Sequence, residues 1–355
     1  MSHRIIVGMS GGVDSSIAVF ILKKQGLEVE GVSFRLFEAR SLKEFSKSPC
    51  CSIEALNNAK KTAEIIGIRH SVIDLRDEFI DKVIEPFVDS YAKGVTPNPC
   101  ILCNKHIKFP HLLKLADNRS ADFIATGHYA NVERTGDVFS LTKGVDPKKD
   151  QSYVLYCLTQ ETIKRLIFPL GKNTKSETRE LAKKLNLPAA KRSESQEICF
   201  IDEMGYHNFI GGMIEPKTGA VIDAETGKVL GVHKGIHLFT IGQRKRIGFA
   251  TGRPSYVTKI DTEQNAVYIG NKEMAMRSQI MARDINWLIC KNGAFRATVK
   301  IRSMMKDEPG LIELIDKDTV RITFDKPQWA PAPGQSAVFY ENDTVIGGGI
   351  IVDGG

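Results

Sequence analysis

The sequence RIIVGMSGGVDSS, residues 4–16, joins a short apolar run to a turn rich in glycine and serine. The apolar run favours a buried strand, and the spacing of apolar residues from Ser15 to Gln25 predicts a helix after the turn. Gly26 stands where such a helix would end. Strand, glycine-rich turn and helix in this order are typical of a phosphate-binding site at the carboxyl edge of a parallel sheet.

Strand and helix patterns continue to alternate through the first two hundred residues. Strands are predicted at 29–35, 70–75 and 123–126, and helices at 52–66 and 77–93. Such alternation predicts an α/β fold with a parallel sheet covered by helices on both faces. After about Glu203, short β-branched runs recur between turn residues, which favours small β-barrels or sandwiches. We therefore predict an α/β domain over 1–204, a small β-rich domain over 205–275 and a C-terminal β-barrel over 276–355.

Composition restricts the classes of protein that this chain can belong to. With 42% hydrophobic and 26% charged residues, it resembles an ordinary globular protein. No apolar stretch reaches the ~18 residues of a membrane span, and no signal peptide precedes the first strand, so we predict a cytoplasmic protein without a membrane partner. The net charge of +7 is compatible with an RNA substrate. The seven cysteines are expected to be reduced at rest.

The turn at Ser10–Ser15 resembles the SGGxDS motif of the N-type ATP pyrophosphatases, also called PP-loop enzymes. Walker and dinucleotide-binding patterns do not match it, because their lysine and their glycine spacing are missing. The resemblance implies a Rossmann-like domain of the adenine nucleotide alpha hydrolase type. It further implies ATP and Mg²⁺ as cofactors, cleavage of ATP between the α and β phosphates, and adenylation of a substrate. GMP synthetase, argininosuccinate synthetase and tRNA-thiolating enzymes share this turn, so it leaves the substrate open.

Two cysteine-containing stretches narrow the choice of substrate. In TPNPCILCNK, residues 96–105, two prolines stiffen the approach to Cys103, and Lys105 follows closely. A nearby cation favours the reactive thiolate, so we expect Cys103 to have a lowered pKa. The other stretch is SESQEICF, which ends just after Cys199.

These stretches resemble those of the tRNA-specific 2-thiouridylases. The matching motifs are TPNPxxxCNKxIKF at 96–109, ATGHYA at 125–130, KDQSY at 149–153, SxEICF around Cys199, TIGQR at 240–244 and PGQSAVFY at 333–340. They span nearly the whole chain in the order that the family has. The resemblance therefore implies an enzyme, a tRNA-uridine 2-sulfurtransferase.

The resemblance also implies a role for individual residues. ATP would be bound by Gly8, Met9, Ser10, Gly11, Gly12, Val13, Asp14, Ser15, Phe34 and Gly127. Cys199 would carry sulfur as a persulfide, and Cys103 would release it, leaving a Cys103–Cys199 disulfide. Positions that touch tRNA would be Asn98, Pro99, Cys100, His128, Lys149, Asp150, Gln151, Arg302, Ser303 and Gln335. The implied partners are the anticodon stem-loops of the tRNAs for Lys, Glu and Gln, whose wobble uridine is the target, and a sulfur donor such as a cysteine desulfurase or a relay protein. DNA is not an expected partner.

One position departs from the family pattern, which commonly has Asp where Cys100 stands. Cys100 and Cys103 form a CxxC pair, and Cys199 could supply a third soft ligand. An iron–sulfur cluster of the [4Fe-4S] type, binding hydrosulfide at an open iron, is one interpretation. A plain substitution without metal is the other. Zinc is disfavoured, because a structural zinc site needs four ligands.

Two other functions remain open at this stage. A PP-loop ligase acting on a small metabolite would need neither cysteine. An RNA-binding or redox-sensing protein would have a degenerate ATP turn. Arg244–Arg246, with Lys234 nearby, either bind phosphates or form a solvated loop.

Overall fold

The computed structural model describes residues 2–37, 53–191, 198–201, 205–249 and 252–353. Its helices are α1 (Val13–Lys24), α2 (Ile53–Ile66), α3 (Arg76–Phe79), α4 (Glu85–Ala92), α5 (Pro99–Cys103), α6 (Phe109–Asn118), α7 (Ser152–Leu155), α8 (Gln160–Lys164), α9 (Lys175–Lys184) and α10 (Tyr206–Gly211). Its strands are β1 (Arg4–Gly8), β2 (Glu28–Arg35), β3 (Arg69–Asp74), β4 (Phe123–Thr126), β5 (Ala130–Thr135), β6 (Val138–Lys143), β7 (Leu166–Ile167), β8 (Gly219–Asp223), β9 (Val229–His233), β10 (Tyr256–Asp261), β11 (Ala266–Gly270), β12 (Met276–Trp287), β13 (Ala294–Lys300), β14 (Glu308–Leu314), β15 (Thr319–Trp329), β16 (Ser336–Glu341) and β17 (Thr344–Asp353).

The chain forms two compact units. The first comprises Met1–Val83, Pro99–Gly205 and Asp343–Val345, and the second comprises Ile84–Asn98, Tyr206–Asn342 and Ile346–Gly355. The division into three domains remains a prediction. Within the described residues, no helix has both the length and the apolar character that a membrane span requires.

A parallel sheet forms the centre of the first unit, in the strand order β3-β2-β1-β4-β7. Ile5, Ile6 and Val7 on β1 are fully buried, as expected for a central strand covered on both faces. Helix α1 follows directly. Its consecutive residues Ile17, Ala18 and Val19 are all buried, so more than one face of the helix is covered. Because β1 ends at Gly8 and α1 begins at Val13, the glycine-rich turn lies at the carboxyl edge of the sheet.

The single helix that the sequence predicts over 77–93 is confirmed, since three consecutive helical segments run from Arg76 to Ala92, but its middle segment is a wider turn. Between α3 and α4 lies a π-helical turn, Ile80–Ile84, and a second π turn, Asn104–Lys108, lies between α5 and α6. Each π turn is followed two residues later by a proline, Pro86 or Pro110. In a regular helix a proline ring clashes with the carbonyl four residues earlier, and a wider turn relieves that clash.

The second unit contains two β structures. Strands β10-β11-β8-β9 form a four-stranded sheet around Val221, Val257 and Ile269. Strands β12-β15-β14-β13-β16-β17 follow one another in a second sheet, which closes into a barrel because β12 also pairs with β17. Ile312 and Phe339 are fully buried in the barrel core. The predicted fold class, a parallel α/β domain followed by small β domains, is thereby confirmed.

Candidate nucleotide and sulfur-transfer site

The glycine-rich turn presents backbone and hydroxyl groups where a phosphate could bind. Helix α1 starts after Gly12, which offers no side chain to cap the first amides. Ser15 Oγ accepts a hydrogen bond from the Ser10 amide at 3.2 Å, and this bond closes the turn. Free amides at the start of a twelve-residue helix, together with serine hydroxyls, are suited to an anion.

Gly11 and Gly127 bring neighbouring segments close to the turn. Gly11 has a φ of +72°, and a Cβ on it would lie 2.0 Å from the carbonyl oxygen of Ala55 on α2. At Gly127, after β4, a Cβ would lie 2.7 Å from the Ser15 amide nitrogen. Both glycines of the predicted ATP site are therefore required by close backbone packing around the turn.

Phe34 lies at the carboxyl end of β2 and is half-buried. Its ring stands edge-on to the His111 ring at 6.1 Å. His111 in turn lies 2.7 Å from a Glu78 carboxylate oxygen, measured from Nε2. A partly exposed aromatic ring at the same sheet edge as the turn suits a planar base, as predicted for the adenosine part of ATP.

The two predicted catalytic cysteines belong to the first unit. Cys103 is buried at the end of α5, whereas Cys199 is half-buried. Burial raises the pKa of the Cys103 thiol to about 12, against the opposing charge of Lys108, and the neighbouring Cys199 and Cys100 thiols raise it further. Cys199 and Cys100 therefore each lie near enough to act electrostatically on the Cys103 thiol.

The expected thiolate at Cys103 is a wrong prediction for this structure. Lys105 is exposed, and the charge that acts on Cys103 comes from Lys108. Desolvation outweighs that charge, so the neutral thiol is the resting form.

A cluster requires its cysteine ligands to converge on one centre. Among the residues that the structure describes, which include Cys100, Cys103 and Cys199, no group of three His, Cys, Asp or Glu side chains is arranged to hold a metal ion. Cys100 is exposed while Cys103 is buried. These residues do not fit an iron–sulfur cluster as they are placed here.

Six of the residues predicted to touch tRNA lie in the first unit, namely Pro99, Cys100, His128, Lys149, Asp150 and Gln151. The His128 ring stacks on Phe109, and Nδ1 lies 2.7 Å from the Thr126 hydroxyl. Burial and the charge of Lys108 hold the pKa of His128 well below its usual range, so the ring is neutral. Asp150 accepts hydrogen bonds from the Gly144 and Ser152 amides, and Gln151 accepts one from the Tyr129 amide. Lys149 is half-buried beside them.

Asn98, Arg302, Ser303 and Gln335 lie in the second unit, where Asn98 and Ser303 are half-buried. The Arg302 guanidinium and the Gln335 amide donate hydrogen bonds to backbone carbonyls. In the same unit, Arg244, Arg246 and Arg253 line a cavity of about 490 Å³ together with Phe249. A cavity with several arginines and an aromatic ring is suited to RNA.

Family models match almost the whole chain in three consecutive segments. A tRNA methyl transferase HUP domain matches residues 3–203, a tRNA methyl transferase PRC-barrel domain matches 207–271, and an aminomethyltransferase beta-barrel domain matches 277–351. The tRNA-specific 2-thiouridylase MnmA 2 of Thermoanaerobacter sp. (strain X514) is 46% identical over 99% of this chain and 98% of its own length. At the same coverage, the tRNA-specific 2-thiouridylases MnmA 1 of Caldanaerobacter subterraneus subsp. tengcongensis and MnmA of Clostridioides difficile are 46% and 40% identical.

This chain belongs to the tRNA-specific 2-thiouridylase family. The family indicated by the sequence motifs is thereby confirmed, since the identity extends over the full chain. Solved structures are more distant. A 4-thiouridine synthetase–RNA complex with bound ATP is 18% identical, with a TM-score of 0.37, over 55% of this chain and 44% of its own. The NMN synthetase of Francisella tularensis is 17% identical, with a TM-score of 0.35, over 59% and 73%. Likeness at this level is too low to add to the assignment.

Lys175 is a residue of this 2-thiouridylase site that the motifs did not indicate. Its Nζ lies 2.7 Å from both carboxylate oxygens of Asp14, and its side chain is only 12% exposed. The Tyr129 hydroxyl donates to the same carboxylate at 2.8 Å. Lys175 is the first residue of α9, where the helix dipole disfavours a cation. That unfavourable position was a signal that the lysine has a partner elsewhere.

Alkylation tests the resting state of Cys103 in this 2-thiouridylase. We expect iodoacetamide, at mildly alkaline pH, to label the exposed Cys290 and to leave Cys103 and Cys157 unlabelled. Burial raises the pKa of both protected thiols to about 12. Their thiolate fraction, and hence their reactivity, is then at least about a hundredfold lower than that of an ordinary cysteine. Peptide mass spectrometry measures the labelling, and denatured protein serves as the control in which every cysteine reacts. Rapid labelling of Cys103 in the native protein would show that its thiol is not desolvated.

Proposed function

We propose that this chain uses ATP to replace the C2 oxygen of the tRNA wobble uridine with sulfur, in the cytoplasm. One observation carries the proposal: a single compact unit contains the glycine-rich turn together with Cys103 and Cys199. An ATP-dependent ligase for a small metabolite would need only the turn. The named activity of the 2-thiouridylase relatives gives independent support.

ATP would bind with its phosphates at Gly8–Ser15 and its adenosine part beside Phe34 and Gly127. The buried cation of Lys175, held by Asp14 in the first turn of α1, would add positive charge next to the phosphates. Mg²⁺ bound with ATP would offset further negative charge on the pyrophosphate as it leaves. The uridine O2 attacks the α phosphorus, the α–β bond breaks, and C2 then carries an AMP ester as a leaving group.

Sulfur would then be transferred from Cys199 to the activated carbon. The outer sulfur of a Cys199 persulfide attacks C2, and AMP leaves with the former oxygen. The Cys103 thiol attacks the Cys199 sulfur and gives its proton to the AMP phosphate released in the preceding step, which breaks the S–S bond and leaves sulfur on C2. A Cys103–Cys199 disulfide results, and an external thiol reduces it. This route suits the placement of the cysteines, whereas a cluster-bound hydrosulfide has no supporting geometry.

Recognition of the RNA would depend on groups outside this chemical centre. A uridine in the anticodon loop is single-stranded and can be turned out into a pocket. Asn98, Pro99 and Cys100 would lie against the target base, and His128 and Lys149–Gln151 would contact the RNA nearby. The substrates we propose are the tRNAs for Lys, Glu and Gln. A cysteine desulfurase, or a relay protein behind it, would supply the persulfide sulfur.

Nucleoside mass spectrometry tests this function. Unmodified tRNA for Lys is incubated with the protein, ATP, Mg²⁺, a cysteine desulfurase and cysteine, and a parallel sample receives sulfide instead of the desulfurase. We expect 2-thiouridine when the desulfurase is present, and none when ATP is omitted. A transcript with cytidine at the wobble position is the matched control. If no thiouridine forms while ATP is still split in the presence of small metabolites, the metabolite ligase replaces our proposal.

A further inference from the structure

Within the second unit, the Gln335 side chain is hydrogen-bonded to the loop that precedes the CxxC pair in the chain. Its side-chain nitrogen, Nε2, donates to the Thr96 carbonyl at 3.0 Å and to the Pro97 carbonyl at 3.3 Å. A carboxamide nitrogen has two hydrogens to donate, and two acceptors use them. In the protein alone, both hydrogens of this amide are therefore used by the loop.

The turn around Gln335 makes further contacts with the same loop. The Thr96 amide donates to the Pro333 carbonyl at 2.9 Å. Gly334 has a φ of +90°, and a Cβ on it would lie 2.4 Å from Val95 Cγ1 and 2.8 Å from the Thr96 carbonyl oxygen. Only glycine allows the turn to approach this closely. Residues Val95–Pro97 are therefore held on both their backbone and their side chains.

Arg302 holds a second loop in a similar way. Its Nη2 donates to the Ile241 carbonyl at 2.8 Å and to the Ala330 carbonyl at 2.7 Å. The neighbouring Thr240 accepts a hydrogen bond from the Thr96 hydroxyl at 3.3 Å, so the two loops are linked. The turn that contains Gln335 is itself fixed to the barrel, since the Gly334 amide donates to the Ile351 carbonyl at 2.8 Å.

We propose that Gln335 and Arg302 are positioning residues that fix the loops at 95–97 and 240–243 before RNA binds. The hydrogen bonds from Gln335 Nε2 and Arg302 Nη2 to loop carbonyls supply the argument, and they are present in the protein alone. For thiolation the inference rests on the proposed function: Asn98 follows this loop directly, and Pro99 and Cys100 come next in the chain. A small displacement of a base-binding segment is enough to slow a reaction that depends on alignment.

Hydrogen exchange in the RNA-free protein tests the positioning role of Gln335. Gln335→Met keeps the length of the side chain and removes both donors, whereas Gln279→Met removes an exposed glutamine from the same barrel. We expect amide exchange in the peptide over 94–98 to rise on the order of tenfold in Gln335→Met. With saturating tRNA, thiolation should slow about tenfold, while tRNA affinity changes less than about twofold. Gln279→Met should match the wild type in all three measurements.

Unchanged exchange in RNA-free Gln335→Met, together with weaker tRNA binding, would overturn the inference and assign Gln335 to the RNA contact. If Gln335→Met fails to fold, Gln335→Asn retreats from the loop by one methylene and must show the same rise in exchange. Exchange is measured without ATP or tRNA. A wild-type protein that thiolates nothing would therefore contradict the proposed function and leave the exchange result standing.

Discussion

Replacement of Cys199 by serine is expected to abolish thiolation and to leave the binding of tRNA and ATP unchanged. A serine oxygen cannot accept sulfur as a persulfide, so no sulfur reaches the activated carbon. The side chain is half-buried and differs from serine by a single atom, so the fold should tolerate the change. Nucleoside mass spectrometry should show product reduced by at least about a thousandfold. Equilibrium binding of tRNA and ATP is measured on the same sample.

Cys290→Ser is the matched control for this prediction. Cys290 is an exposed cysteine of the second unit, and its replacement should leave thiolation intact. Substantial 2-thiouridine from Cys199→Ser would remove Cys199 from the chemistry and would leave sulfide or another cysteine as the sulfur source. Loss of tRNA binding would instead indicate that the serine variant has disturbed the structure.

Replacement of Gly11 by alanine is expected to lower ATP affinity and ATP-dependent activity by at least about a hundredfold. The φ of +72° disfavours any side chain, and the new Cβ would lie 2.0 Å from the Ala55 carbonyl oxygen. The turn would have to move away from α2, and the amides and hydroxyls that face the phosphates would move with it. Isothermal titration with ATP measures the loss.

Gly26→Ala provides the control, because this glycine closes α1 with a φ of +80° and has nothing within 4 Å of the added Cβ. It should cost about 1–2 kcal/mol of unfolding free energy from backbone strain and leave ATP affinity unchanged. Thermal unfolding of both variants separates loss of stability from loss of binding. If the Gly11→Ala variant folds and binds ATP as the wild type does, the turn is not the nucleotide site.

Local pattern was sufficient to predict the core of the first unit. The apolar run before Gly8, the glycine-rich turn and the helix after it are adjacent in the chain, so their order and type follow from residues that are neighbours. The motifs around Cys103 and Cys199 likewise indicated the family before any geometry was known. The helix predicted over 77–93 was also found, but its π turn was not predicted, because the effect of Pro86 on the preceding turn depends on helix geometry that periodicity does not contain.

Contacts between residues far apart in the chain were decided only by the tertiary structure. Asp14 and Lys175 are 161 residues apart, and Gln335 and Thr96 are 239 apart, so neither pair leaves a local pattern. The protonation of Cys103 was also decided by the tertiary structure. Desolvation depends on everything that packs around the sulfur, and it raises the thiol pKa despite the lysine nearby in sequence. The sequence by itself therefore determined the family and indicated the groups that we propose to take part, while packing decided their partners and their protonation, because both depend on distance in space.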